Sequence, residues 1–186
     1  MTPMSLIDLD PGQGYPDVVR MVVEIPRHST NKYEYDKELQ VFRLDRTLYS
    51  PVHYPGDYGF VPGTLAEDGD PFDILALTDE PTFPGCVIEV RPLGVLEMVD
   101  RSEGDAKILA APVGDPRYKE VREIRDVPPH VRKEIEHFFQ IYKELENKKV
   151  LTRGWRSRRL ACRSIRAARE RYLDAKRRPP HVSRNR

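Results

Sequence analysis

The sequence predicts an α+β fold rich in β-structure, in which a small closed β-barrel is followed by two C-terminal helices. Short apolar segments separated by Gly and Pro turns extend as far as residue 112, a pattern typical of small barrels. Helical periodicity begins only after residue 127. A chain of 186 residues with 39% hydrophobic content can bury one real core.

Strand-like segments account for the first part of the chain. They are bounded by turn residues and are rich in β-branched and aromatic side chains. Because the segments are short and have Gly-rich corners, they favour a closed barrel over a wide open sheet. We predict strands at roughly 18–25, 32–36, 40–44, 72–77, 86–99 and 107–112.

Two helices are predicted from apolar spacing. The first begins at Pro128 or Pro129 and runs to about Asn147. Its apolar residues follow an i, i+4, i+7, i+11, i+14 pattern: Val131, Ile135, Phe138, Tyr142 and Leu145. The second is an amphipathic C-terminal helix whose apolar side comprises Trp155, Ala161, Ile165, Ala168 and Tyr172.

Charge divides the chain unevenly, although the formal net charge is only +1. Residues 153–186 contain 13 Lys+Arg and 2 Asp+Glu, whereas residues 1–152 contain 18 basic and 28 acidic residues. The basic end could contact nucleic acid or a membrane surface, or it could be a helix docked on the acidic body. The apolar periodicity favours docking. We therefore expect one domain over residues 1–178 and a flexible basic tail over 179–186.

Targeting signals are not evident in the sequence. No apolar stretch approaches the roughly 20 residues of a membrane span, and Met1 to Gln13 lack the basic and hydrophobic parts of a signal peptide. Cys86 and Cys162 are too few for a disulfide framework. We expect a cytoplasmic protein with reduced, structural cysteines.

The most informative motif is Asp-Gly-Asp-Pro-Phe-Asp at residues 68–73. It holds Asp68, Asp70 and Asp73 around a turn, and two carboxylates about 5 Å apart repel by roughly 3 kcal/mol at an effective dielectric near 20. A fold that keeps such a cluster together usually binds cations there. Oxygen-only ligands favour magnesium, calcium or manganese over zinc. The alternative is an acidic surface turn that only ends a hairpin.

Other polar residues occur at the ends of the predicted strands. Asp100 and Asp105 flank a strand edge, Glu24 closes the first strand, and Glu34 lies in the second. Carboxylates for metals together with Arg, Lys and Tyr for oxyanions are the groups expected around a phosphate substrate. The accompanying cationic and phenolic residues are Lys32, Arg46, Tyr54, Tyr58, Lys107, Tyr142 and Lys143.

In their order along the chain, these motifs closely resemble those of the soluble family I inorganic pyrophosphatases of bacterial type. The resemblance spans roughly residues 18–152, and its signature is Asp68-Gly-Asp-Pro-x-Asp73. It implies an OB-like five-stranded closed barrel flanked by two C-terminal helices. It also implies hydrolysis of inorganic pyrophosphate to two orthophosphates by a metal-activated water, and a homo-oligomer, expected to be a hexamer.

The resemblance further implies residue roles. Asp70 accepts the proton of the attacking water. Several Mg²⁺ ions, or Mn²⁺ as a substitute, are held by Asp68, Asp73 and Asp105, with Asp73 shared between two ions and with Asp100 and Asp105 binding metal that arrives with substrate. The substrate-binding residues are Lys32, Arg46, Tyr58, Tyr142 and Lys143, and the supporting residues are Glu24, Glu34, Tyr54 and Lys107.

Several assignments have a plainer structural alternative. Tyr142 could be core, Lys143 could be a solvated flank, and Arg46 could simply pair with Asp45. Two other functions also compete: a nucleic-acid-binding module that uses the Arg-rich end, and a calcium-stabilised domain. Carboxylates on the strands would repel a nucleic-acid backbone, and a calcium domain leaves Lys32, Arg46 and Lys143 without a purpose. Both alternatives are therefore disfavoured.

Overall fold

The computed structural model describes residues 5–100 and 103–177. Within these ranges it contains nine β-strands and two α-helices, joined by short turns and single-turn 3₁₀ helices. The helices are α1 (Pro129–Ile141) and α2 (Arg158–Arg177). The strands are β1 (Val19–Ile25), β2 (Asn31–Asp36), β3 (Val41–Thr47), β4 (Asp57–Val61), β5 (Phe72–Ala76), β6 (Val87–Asp100), β7 (Glu103–Gly104), β8 (Lys107–Pro112) and β9 (Val150–Ser157).

Five of the strands close into a ring. β1 pairs with β4, β4 with β5, β5 with β8, β8 with β6, and β6 pairs again with β1. The β5–β8 pair is parallel and the other four are antiparallel. The 14-residue β6 is long enough to pair with β1, β7, β8 and β9. Its pairing with β8 shifts register between Pro92 and Gly94. The ring and the two helices behind it confirm the predicted fold class.

Three further pairings lie outside this ring. β9 runs antiparallel to the second half of β6, and the two-residue β7 folds back on the end of β6. β2 and β3 form a separate two-stranded sheet. Its hairpin carries three of the predicted site residues, so it contributes one wall of the site without being part of the ring.

Three of the described strands were not predicted from the sequence: β4, β9 and the two-residue β7. The five residues of β4 are all buried, so they show no polar alternation, and Gly59 at the middle of β4 looks like a turn residue in the sequence. β9 was missed because its Trp155 fitted the spacing of the following helix. That assignment was wrong: Trp155 lies in β9, and α2 begins only at Arg158.

The first helix ends earlier than predicted. α1 stops at Ile141, and after a 3₁₀ turn the backbone reaches a left-handed conformation at Asn147, where φ is 57°. Lys143 has already left helical geometry, with φ −108° and ψ 3°. Leu145 therefore does not continue the apolar side of the helix and is 59% exposed. The chain instead turns at Tyr142 and Lys143, which directs this junction toward the site.

Among the described residues the core has two main parts, one under each helix, and a third, small cluster of Val22, Tyr35 and Phe60. α1 packs through Phe138 and Phe139 on a cluster that contains Leu75 and Leu109. Side chains that alternate with these on β5 and β8 point to the other side, where α2 packs. Because both faces of these strands are covered, their residues are apolar apart from Asp73 in β5 and Lys107 in β8. The apolar residues of α2 at that contact are Ala161, Ile165 and Ala168.

The basic helix α2 also makes ion pairs with acidic residues near the N-terminus. Arg158 lies 2.7 Å from Asp17, and Lys176 lies 2.8 Å from Asp8. Exposed pairs of this kind contribute little to stability, so burial of the apolar side is the main force that docks the helix. The predicted tail at 179–186 lies outside the described residues. Within the described ranges, none of the helices has the length and apolar character required to span a membrane.

Candidate active site

One cavity of about 470 Å³ brings nearly all of the predicted site residues together. Seven carboxylates and six cationic side chains line it, which is a dense mixture of charge for one cavity. Thirteen of the fourteen predicted residues are among its lining: Glu24, Lys32, Glu34, Arg46, Tyr58, Asp68, Asp70, Asp73, Asp100, Asp105, Lys107, Tyr142 and Lys143.

Strand pairing explains why residues distant in sequence meet here. In the β4–β5 ladder, Asp73 of β5 lies opposite Phe60 of β4. Tyr58 is two residues before Phe60 on β4, so its side chain is on the same face of the sheet as that of Asp73. The register between β1 and β4 shifts between Val23 and Ile25, and this irregularity contains Glu24. A bulge re-aims a side chain out of the regular alternation, which accounts for the carboxylate of Glu24 within a run of buried apolar residues.

Glu24 is the carboxyl group whose proton affinity is most altered. Desolvation by burial raises its pKa to about 8, and repulsion from Asp73 acts in the same direction. The backbone N–H of Tyr35 donates to Glu24 Oε1 at 2.8 Å and opposes the shift, as does Lys32. In the absence of a bound cation, this carboxyl group therefore carries a proton at neutral pH.

Lys107 occupies the centre of the carboxylate cluster. Its side chain is only 5% exposed, and its ammonium contacts the carboxylates of both Asp73 and Asp105. Burial lowers the pKa of Lys107, but the two carboxylates outweigh burial and the net direction is upward. The pKa of Asp105 is itself raised, chiefly by burial. The positive charge of Lys107 thus offsets the repulsion between the carboxylates of Asp73 and Asp105.

The loop of the Asp-Gly-Asp motif has a defined backbone. Asp68 Oδ1 accepts the backbone N–H of Asp70 at 3.0 Å, and the N–H of Ala66 donates to the carbonyl of Asp70 at 2.7 Å. Gly69 has φ +90°, which explains why a glycine stands between the two aspartates. The Asp70 carboxylate is left to point outward, where Lys37 lies 2.7 Å from its Oδ1.

At the end of α1, Tyr142 and Lys143 line the cavity together. Lys143 Nζ lies 2.6 Å from Asp100 Oδ2, so Lys143 is not a solvated flank. The other oxygen, Asp100 Oδ1, is buried and has no hydrogen-bond partner among the described residues. Tyr142 is both core and site: its ring packs against Phe138 at a centroid distance of 5.3 Å while it borders the cavity.

Arg46 is held by a buried carboxylate. Its Nε donates to Glu146 Oε1 at 2.8 Å, and Lys148 Nζ lies 2.8 Å from the second oxygen of Glu146. The expected pair between Arg46 and Asp45 also forms. Because Arg46 lies opposite Lys32 in the β2–β3 ladder, the hairpin presents two cations side by side to the cavity.

Tyr54 does not line the cavity. It is 1% exposed and packs between Tyr58, at 5.5 Å between ring centroids, and Phe138, at 4.9 Å. It therefore supports Tyr58 from behind. Two lining cations, Lys37 and Lys148, were missed by sequence reasoning. Lys37 follows Tyr35-Asp36 at the end of a predicted strand and looks like an ordinary hairpin-turn residue, and Lys148 looks like part of a polar turn.

The lining fits divalent cations in the chemistry of its donors. The seven carboxylates offer oxygen ligands, which hard cations prefer, and the buried Asp100 Oδ1 still lacks a partner within the described residues. In the described ranges, however, no three acidic, His or Cys side chains are arranged closely enough to hold a metal ion. The carboxylates of Asp70, Asp73, Asp100 and Asp105 are instead paired with lysines.

Comparisons with known proteins agree with one another. A family model described as Inorganic pyrophosphatase matches residues 21–173. The chain is 56% identical over 145 residues to the inorganic pyrophosphatase of Nostoc sp., covering 78% of this chain and 86% of the relative. It is 51% identical over 159 residues to that of Geobacillus stearothermophilus, covering 86% and 96%. The crystal structure of inorganic pyrophosphatase from Thermus thermophilus is similar with a TM-score of 0.89 and 48% identity, covering 91% of this chain and 99% of that one.

Proposed function

Because the chain belongs to the inorganic pyrophosphatase family, we propose that its cavity hydrolyses inorganic pyrophosphate to two orthophosphates. Family membership makes the chain an enzyme of the hydrolase class. The observation that supports this cavity as the active site is the convergence of thirteen predicted residues on its lining. A nucleic-acid-binding module is not supported, since the same lining contains seven carboxylates.

A divalent cation is the expected cofactor of the family, and we propose Mg²⁺ with Mn²⁺ as a substitute. When bound, such ions neutralise phosphoryl oxygens and lower the pKa of water. Asp68, Asp73, Asp105 and Asp100 are the proposed ligands. Their position in one cavity supports this assignment, as does the unpartnered oxygen of Asp100.

The cationic residues are proposed to hold the phosphoryl oxygens of the substrate. Arg46 can offer a planar fork of N–H donors, whereas Lys32 and Lys143 offer point charges. Burial raises the pKa of Tyr58 well above its ordinary value, so its hydroxyl keeps its proton and can donate a hydrogen bond. Tyr142 adds a second hydroxyl at the same border.

Asp70 is the proposed proton acceptor. Its backbone is fixed by hydrogen bonds to Asp68 and Ala66, while its carboxylate is largely exposed at the cavity rim. A carboxylate in that position can receive a proton from a water beside the substrate and pass it to solvent. Asp68 and Asp73 lie close by in the motif but are proposed as cation ligands.

The homo-oligomeric state, expected to be a hexamer, and the cytoplasmic location are proposed from the family resemblance. Large apolar side chains remain exposed at Leu39, Phe83 and Leu151 and are available for contacts between subunits. Multi-angle light scattering would measure the mass. A monomer across the micromolar range would contradict the oligomer.

The test of the proposed function is phosphate release from pyrophosphate by the purified protein. We expect fast release with Mg²⁺, slower release with Mn²⁺, and none after a chelator is added. ATP in the same assay should release far less phosphate if the cavity is selective for pyrophosphate. Absence of release with both metals would contradict the proposal, and a salt-dependent nucleic-acid binding assay would then test the competing function.

A further inference from the structure

A second cavity, separate from the active site, lies against the first half of α2. Its volume is about 390 Å³, and it is lined mainly by arginines. Within the described residues, its lining and that of the active-site cavity have no residue in common. The charged residues that line it are Arg158, Arg159, Arg163, Arg166, Asp17 and Glu123. We call it the arginine cavity.

One of the four arginines has a structural role. Arg158 lies 2.7 Å from Asp17 Oδ1, and its Nε donates to the carbonyl of Pro92 at 3.1 Å. These contacts tie the start of α2 to the ring of strands. The charge of Arg158 is therefore already compensated, and one of the two carboxylates in the lining is used for that purpose.

The other three arginines are not compensated in this way. Among the described residues, the ion pairs within 4 Å made by α2 involve Arg158, Arg169, Lys176 and Arg177. Arg159, Arg163 and Arg166 are spaced i, i+4 and i+7, so they share one side of the helix. Their Cα atoms span about 10 Å at 1.5 Å per residue.

This arrangement is unfavourable for the protein alone. Like charges at i, i+4 spacing destabilise a helix, and other basic residues of α2 find carboxylates at Asp8 and Asp10. Three guanidinium groups that converge on a formed cavity instead match an anion with several negative oxygens, because guanidinium forks bind phosphate oxygens in pairs. Glu123 is the one carboxylate in the lining outside the Arg158 pair.

We propose that the arginine cavity binds a small anion with two or more phosphate groups, at a site distinct from the active site. Arg159, Arg163 and Arg166 hold the phosphate oxygens. The ligand could be free pyrophosphate or the terminal phosphates of a nucleotide, which share this chemistry. A nucleic-acid strand fits less well, because Asp17 and Glu123 interrupt the basic surface and the lining residues, all within the described chain, include no aromatic ring for base stacking.

Calorimetric titration of the purified protein without divalent cations would test the proposal. The probe is methylenediphosphonate, whose P–C–P bridge is not hydrolysed, and ADP is titrated separately. We expect two classes of sites in the unmodified protein. Arg159→Gln/Arg163→Gln/Arg166→Gln should weaken one class at least tenfold, since each lost pair of charge-assisted hydrogen bonds is costly. Arg46→Gln/Lys143→Gln should weaken the other class.

A control variant removes the same amount of charge elsewhere. Arg125→Gln/Lys133→Gln/Arg177→Gln changes three positive residues that line neither cavity, and it should keep both classes of sites. Turnover should be unchanged in the arginine-cavity variant, so failure of this proposal is distinguishable from failure of the pyrophosphatase assignment. If the triple variant does not fold, Arg163→Gln alone is expected to weaken the site several-fold.

The outcomes separate cleanly. Tighter binding of ADP than of the diphosphonate would identify a nucleotide as the ligand, and the reverse order would identify a condensed phosphate. Binding that the arginine-cavity variant leaves unchanged, or equal losses in the arginine-cavity and control variants, would overturn the proposal. So would a single-stranded oligonucleotide that binds the arginine cavity more tightly than either small anion.

Discussion

The ammonium of Lys37 lies 2.7 Å from Oδ1 of Asp70. Lys37 belongs to the turn between β2 and β3, whereas Asp70 belongs to the loop that precedes β5. The β2–β3 hairpin forms its own two-stranded sheet, so this ion pair ties the hairpin tip to the edge of the ring. Both residues line the active-site cavity. The contact therefore places a cation directly beside the proposed proton acceptor.

We expect Lys37→Met to raise the KM for pyrophosphate by about three- to tenfold, with a smaller loss of kcat. The substitution removes one positive charge from the cavity and frees the hairpin tip, while an exposed pair of this kind adds little to stability. Lys37→Arg keeps the positive charge, so its KM should stay close to that of the unmodified protein. Lys119→Met, at an exposed position outside the cavity, is the control, and an unchanged KM in Lys37→Met would show that the ion pair has no role in binding.

Asp70→Asn should reduce kcat by roughly 10²- to 10⁴-fold, the usual contribution of a positioned acid or base. The amide is similar in size but cannot take up a proton at neutral pH. Folding should be unaffected, because the hydrogen bonds that fix the loop use the backbone of Asp70. Asp174→Asn, at an exposed position on α2, is the matched control. Near-normal turnover in Asp70→Asn would refute the role of proton acceptor.

Much of the site could be predicted because its residues occupy short local motifs. Asp68, Asp70 and Asp73 fall within six positions, and Tyr142 and Lys143 are adjacent, so their types and order are visible in the sequence. Strand segments next to them were equally visible from apolar runs and turns. The sequence was therefore sufficient to predict the fold class and thirteen residues of the lining.

What the sequence could not predict depends on contacts between distant segments. Lys37 meets Asp70 across 33 positions, and a surface lysine has no periodic pattern that would reveal such a partner. Glu146 likewise meets Arg46 across 100 positions. The boundary between β9 and α2 was missed because Trp155 fits a helical spacing, yet pairing of Trp155 with Leu96 of β6 keeps it in a strand.

Glu24→Gln is expected to stabilise the cation-free protein above about pH 5. The unfolded Glu24 loses its proton near its ordinary pKa of 4.5, whereas the folded one loses it only near 8. Between these values the unfolded chain binds fewer protons, so rising pH favours unfolding. Gln can still accept the N–H of Tyr35. Because Glu24 borders the cavity, we expect a gain on the order of 1–2 kcal/mol at pH 8 rather than the full value for burial.

Urea unfolding at pH 4, 6 and 8 would measure this effect. The difference in free energy of unfolding between Glu24→Gln and the unmodified protein should be smallest at pH 4 and should level off above pH 8. Glu120→Gln, at an exposed position, controls for a general change of charge. A difference that stays constant from pH 4 to pH 8 would contradict the raised pKa.

Glu146→Ala should raise the KM for pyrophosphate about tenfold and change kcat by less than threefold. The Glu146 side chain is 6% exposed and accepts hydrogen bonds from Arg46 and Lys148. Its loss therefore removes one of the two carboxylates that hold the Arg46 guanidinium and leaves only Asp45. Arg46 itself remains present, which is why binding should suffer more than the chemical step. Glu144→Ala, an exposed residue of the same 3₁₀ turn, should behave like the unmodified protein; equal effects in both variants would instead indicate general damage to the turn.

Gly59→Ala should destabilise the protein by about 3 kcal/mol or more, because overpacking at a rigid contact forces backbone shifts. A Cβ at this position would lie 1.9 Å from the carbonyl oxygen of Val22 in β1. The two strands would have to separate next to Glu24 and Tyr58, so activity should fall together with stability. Gly114→Ala is the matched control, since its Cβ would meet nothing within 4 Å, and it should change the free energy of unfolding by at most about 0.5 kcal/mol. Equal urea midpoints for the two variants would show that β1 and β4 can move apart at little cost. In that case the close approach of these strands does not position Glu24 and Tyr58.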